Sequence, residues 1–178
     1  SLNDQEIFES WWQSSLDVSK KYANIDPKIR VKWAGPSMSA RSSITARQME
    51  TWAHGHEVFD CFGIEREEGD HIKNIVHLGV STFGWTFINR QLELPKQVPY
   101  IDLILPSGRS ISYNEANNYN FVKGSSVEFC RVVTQTRNVL DTSLIVKGKV
   151  AKKWMKLAQC FAGQPEDPPT KDQRSIKF

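Results

Sequence analysis

Pro95 marks the feature that most constrains how this chain can fold, because the hydrophobic period changes there. Before it, apolar residues recur at the three-to-four-residue spacing of helices. After it they alternate in twos, the spacing of strands. The two periods are segregated end to end, which predicts an α+β protein with helices first and a mixed strand-and-helix portion second. The boundaries that follow are residues 1–94 for the helical portion and 95–162 for the α+β portion. Residues 163–178, rich in proline and charge, are read as a mobile tail.

Ile7, Phe8, Trp11, Trp12, Leu16 and Val18 give one broad apolar face to a helix over about Asp4–Tyr22, with Asn3 or Asp4 as its cap. A linker follows from Asn24 to Met38, punctuated by Asp26-Pro27 and Gly35-Pro36, with Val31 and Trp33 holding it on the core. The second helix runs from Ser39 to Phe62 and closes on Gly63; Ile44, Trp52, Val58, Phe59 and Phe62 form its apolar arc. A third, from Asp70 towards Arg90 with a bend near Gly79 or Gly84, makes an antiparallel hairpin with it. Beyond Pro95, strands are expected over Val98–Leu105, Ser110–Tyr113, Phe121–Lys123 and Leu144–Val146, with helices over Ser125–Gln135 and Val150–Phe161.

Charge narrows the partners. The chain of 178 residues carries 23 basic and 20 acidic side chains, net +3, with both signs scattered. Such a surface lacks the dense basic footprint of a nucleic-acid binder. No apolar run approaches the ~18 residues of a membrane span, so no membrane association is expected. Cys61, Cys130 and Cys160 form neither a disulfide framework nor a CxxC site, which points to a reducing cytoplasm. No nucleophile elbow, phosphate-binding glycine loop or pair of catalytic carboxylates is present. The chain starts Ser1-Leu2 without an initiator Met, and the expectation is that a segment upstream is missing.

Candidate chemistry centres on Glu50 and His54, which are i and i+4 and so project from one helical face. Two such donors are how metal sites in helical bundles are built, with a third from another helix. Both lie at the flank of the apolar arc, facing a bundle interior or its rim. His56 is rotated about 160° from His54 and cannot share its ion. With the turn centred near Arg66, hairpin arithmetic puts His77 level with His54, roughly 17 Å from the turn. Helix rotation decides whether the two face each other; the alternative for His77 is a core histidine. His71 is a solvated helix terminus. Cys61 is too far along the helix from His54, and Cys130 and Cys160 are small buried hydrophobes. The small residues between Trp33 and Ser42 could hold an anion at a helix start, although capping explains most of them.

The runs "WAGPSMSARS" and "METWAHG", followed by "VHLGV", "LPSG", "FCRVVTQTR" and "AQCFAG", resemble the DinB-like, mycothiol-dependent maleylpyruvate isomerase superfamily, and more narrowly an actinobacterial branch of uncharacterised metal-binding proteins. That resemblance implies an incomplete DinB-like four-helix bundle followed by a small α/β domain likened to sterol-carrier folds. It also implies that Glu50 and His54 are metal ligands and that Arg137 is a catalytic arginine handling substrate. The C-terminal half resembles, less specifically, a wyosine-base-formation segment of transfer-RNA modification. The chain departs from the family in lacking the upstream helix that carries a further histidine ligand; its first helix has none. His77, a partner chain or water would complete the shell, or the site is empty.

Three functions remain open on these grounds. The first is a metal-dependent isomerase or transferase acting on a small molecule with a low-molecular-weight thiol, zinc being the favoured metal. The second is a non-catalytic binding module that forms a homodimer through its first helix. The third is an RNA-modification accessory, for which the mixed charge is poor support.

Overall fold

The computed structural model describes residues 2–32 and 37–174. Trp33–Pro36, part of the linker and of the first quoted run, lie outside the described residues, as do the last four residues of the tail. The described residues form an α+β protein made of two compact units, 1–45 and 46–178.

In the first unit, helix α1 (Asp4–Ala23) starts on a capping box. The Asn3 side chain accepts from the Glu6 backbone N–H, and the Glu6 carboxylate accepts from that of Asn3. Its aromatic face is present as predicted, yet no residue of the helix is buried, and Ile7, Phe8, Trp11 and Trp12 are each more than half exposed. Strands β1 (Arg30–Val31) and β2 (Met38–Ser39) pair antiparallel across the linker. Helix α2 (Ala40–Phe62) begins here and continues into the second unit.

The second unit holds the core. A four-stranded sheet has the order β4-β3-β5-β6, built from β3 (Tyr100–Ile104), β4 (Ser110–Tyr113), β5 (Phe121–Ser125) and β6 (Ile145–Lys147). β3 and β5 run parallel at the centre, with antiparallel neighbours outside them. Helices α5 (Ser126–Val133) and α6 (Lys149–Leu157) pack with α3 (Lys73–Ser81) and α4 (Phe83–Asn89) around one cluster. That cluster contains Trp52, Ile75, Phe87, Ile101, Phe129 and Trp154. Residues on both sides of Pro95 therefore share a single core, where the change of period suggested a boundary. Apolar stripes on α3 and α4 are too short to close on each other and are buried against α5 and α6 instead.

Three local details differ from expectation, each with a physical cause. The break after α3 falls at Thr82, whose hydroxyl donates to the Leu78 and Gly79 carbonyls; Gly79 is instead a contact glycine, where an added Cβ would meet Val133 at 2.8 Å. The connection from 63 to 72 is not a tight turn. It runs back along α2, so that Glu68 reaches Trp52 and His56 while the His71 carbonyl and the Asn74 amide bond Gln48. Finally, residues 163–174, read as mobile, are tied down. Glu166 N–H donates to Gln159 Oε1 at 3.0 Å, Gln135 Nε2 donates to the Glu166 carbonyl at 2.7 Å, and Asn138 Nδ2 donates to that of Pro169 at 2.8 Å. Buried glutamines supply the anchors that composition could not reveal.

Candidate functional site

The inward stripe of α2 consists of Met49, Trp52, Ala53 and His56, spaced i, i+3, i+4, i+7. Val58 and Phe62, placed in the predicted arc, are exposed, because Gly63 ends the helix (φ 64) before another layer covers its last turn. With His56 inward, Glu50 and His54 fall on the outer wall. His54 Nε2 lies 3.6 Å from a Glu50 oxygen and Nδ1 lies 3.2 Å from Glu57, with the His54 side chain 72% exposed.

These three side chains line a groove of about 590 Å³, whose other walls are Thr134–Thr136, Phe161 and the anchored segment from Glu166 to Arg174. Glu50, Glu57, Glu166 and Asp167 give the groove four carboxylates, against His54 and Arg174. Arg174 pairs with Glu57 at 3.2 Å, and Arg90 pairs with Asp167 at 2.8 Å. A groove of this size admits a small molecule, and the His54 imidazole stands on its wall between two carboxylates.

His77 is not brought to this groove. It is exposed on α3, with its ring 6.0 Å from that of Tyr113. The level matching failed because the connection retraces α2: by residue 74 the chain is already beside Gln48, so His77 lies beyond His54. Arg137 is likewise committed elsewhere. It is 5% exposed and grips Asp60 through both terminal nitrogens, at 2.6 and 2.5 Å.

The inner side of α2 carries a second, buried cluster. His56 Nε2 lies 2.9 Å from Glu68 Oε1, and Trp52 Nε1 donates to Glu68 Oε2 at 2.9 Å. Burial pulls the His56 pKa below its ordinary value, against the opposing pull of the Glu68 hydrogen bond. Burial pushes Glu68 up, but the bonds from His56 and Trp52 and the nearby Arg66 outweigh it and leave Glu68 lowered. Both directions describe a neutral imidazole donating Nε2–H to a carboxylate anion. Arg66 crosses α2 above this pair and donates to the Trp52 carbonyl at 3.0 Å. Gly55 makes that crossing possible, since a Cβ there would meet Arg66 Nη1 at 2.8 Å. The Trp-x-x-Gly-His run with a glutamate just after the helix was the available signal. Cys130 and Cys160 are buried as expected, while Cys61 is exposed.

The requirement for a metal can be set against these donors. A catalytic zinc site takes three protein ligands, and no group of three His, Cys, Asp or Glu side chains suited to a metal stands together among the described residues. Glu50 and His54 offer two donors from one helical turn, one short of a catalytic set.

The described residues thus form an α+β protein with an open groove walled by one long helix. Residues 1–59, which include Glu50, His54 and Glu57, match the family model for the mycothiol maleylpyruvate isomerase N-terminal domain. Two uncharacterized proteins of Mycobacterium tuberculosis, from two strains, are each 34% identical over 165 residues, covering 93% of this chain. The chain spans 64% of the length of these curated relatives. No solved structure matches it. Among the described residues, no helix is long and apolar enough to cross a membrane.

Proposed function

We propose that the Glu50–His54 groove is the working site of an isomerase or transferase that uses a low-molecular-weight thiol. The observation that carries this is the placement of Glu50, His54 and Glu57 on one wall of an open groove, within the segment that matches the mycothiol maleylpyruvate isomerase N-terminal domain. In this reading His54 accepts the proton of a bound thiol and Glu50 and Glu57 stabilise the imidazolium. The thiolate adds to an electrophilic carbon of the substrate and leaves again once the neighbouring carbon–carbon bond has rotated, so that sulfur and proton both return to the thiol. No step is assigned to a metal; a divalent ion, zinc by its tolerance of mixed donors, would need a donor beyond Glu50 and His54. The reading carries with it a DinB-like bundle and a sterol-carrier-like second portion.

The test is turnover of maleylpyruvate by the purified protein with mycothiol. We expect thiol-dependent isomerisation that falls about 100-fold or more in His54→Ala; activity indifferent to both His54→Ala and Glu50→Ala rejects the assignment. A second reading, a dimeric binding module without turnover, is favoured by the exposed Phe8, Trp11 and Trp12 of α1. Light scattering that shows a dimer, made monomeric by Trp11→Glu, together with no turnover under any thiol, would select it.

A further inference from the structure

A second depression, of about 610 Å³, shares no lining residue with the first groove. Its walls carry Arg66 and Arg131, the carboxylates Glu65, Glu68 and Glu128, Gly124 and Ser125 at the end of β5, and Val127 in the first turn of α5. Most of this charge is already engaged. Arg66 bonds the Trp52 carbonyl and lies 3.6 Å from Glu68; both Glu68 oxygens accept from Trp52 and His56; Glu128 accepts from the Ser143 N–H at 2.9 Å.

Glu65 has no such partner among the described residues, and neither has Arg131. Among the described residues, nothing accepts a hydrogen bond from its guanidinium and no carboxylate lies within 4.0 Å of it. Its Nε is buried without a partner. Burial first, and then the charge of Arg137, lower the Arg131 pKa. A desolvated donor left without a partner is costly, and an oxyanion that pairs with the same guanidinium offsets part of that cost. The positive start of α5 on the same wall adds to the attraction.

The geometry points to a binding site for a small organic monocarboxylate, its carboxylate held by the Arg131 guanidinium and its carbon skeleton against Val127 and Pro106. Planar guanidinium matches carboxylate by two parallel hydrogen bonds. A singly charged acid is favoured over a phosphate because Glu65, Glu68 and Glu128 repel a dianion more strongly. This site does not depend on the chemistry of the Glu50–His54 groove.

The experiment is an NMR titration of the full chain with sodium propanoate, and in parallel with sodium phosphate, at constant ionic strength. It follows the arginine Nε–Hε signals and the amides of Gly124 and Val127. We expect a saturable shift of the Arg131 signal, identified by its disappearance in Arg131→Lys, with propanoate binding more tightly than phosphate. The amide shifts should weaken about tenfold or more in Arg131→Gln and persist in Glu50→Gln. Should Arg131→Gln fail to fold, the wild-type Arg131 signal and the Arg131→Lys amides decide alone. Absence of saturation, tighter binding of phosphate, or amide shifts retained in folded Arg131 variants would overturn the assignment.

Discussion

His54 and His56 stand two residues apart on one helix and occupy opposite environments. His54 is 72% exposed on a groove wall between two carboxylates, whereas the His56 side chain is 2% exposed and hydrogen-bonded to a buried glutamate. A helix turns about 100° per residue, so a spacing of two suffices to divide labour between its faces. The outer face, with Glu50, His54 and Glu57, offers groups that a ligand can meet. The inner face uses the same residue types to hold the connection 63–72 against α2.

The inner face should therefore respond most strongly to substitution. Glu68→Ala leaves the Trp52 indole N–H and the His56 imidazole buried without an acceptor, and an expected loss of about 3–5 kcal/mol should appear in equilibrium urea unfolding. A loss no larger than that of a surface substitution would erase the distinction between the faces. Slightly below this comes Asp60→Ala, which strips the buried Arg137 of its bidentate partner at a cost of about 3 kcal/mol. Stability near wild type in that variant would show Arg137 to be free for substrate, contrary to its geometry here.

Acid provides a milder probe. The folded-state pKa of His56 is lowered, so the unfolded chain binds its proton more readily. The resulting stability is fully present above the ordinary value of 6.5 and is lost as pH falls from there through the folded pKa. The expected decline is at most about 1.4 kcal/mol per pH unit for the one proton. Unfolding midpoints measured between pH 7 and 5 should show it, and His56→Phe should flatten that slope. A slope of opposite sign would mean that the imidazole is charged in the folded protein.

Much of this arrangement could be read from residues alone, and the exceptions have definite causes. The capping residue Asn3, the Gly63 terminator and the alternation of Ser110–Tyr113 act locally, and the corresponding elements α1, α2 and β4 fall where expected. The spacing of Glu50 and His54 likewise brings them side by side. What pattern could not reveal was the inward turn of α2. A histidine counted as polar hid the Met49–Trp52–Ala53–His56 stripe, which only its distant partner Glu68 makes favourable to bury. The same long-range bonds draw residues 63–72 back along α2, and that path, invisible to a count from the turn, removes His77 from the groove.

The most direct measurement is urea unfolding of His54→Ala beside His56→Ala at pH 7. If the two faces divide fold from chemistry, His54→Ala stays within about 0.5 kcal/mol of wild type, while His56→Ala loses about 2 kcal/mol or more through the cavity and the unpaired Glu68 oxygen. Equal losses in the two variants, or a larger loss from His54→Ala, would contradict that division.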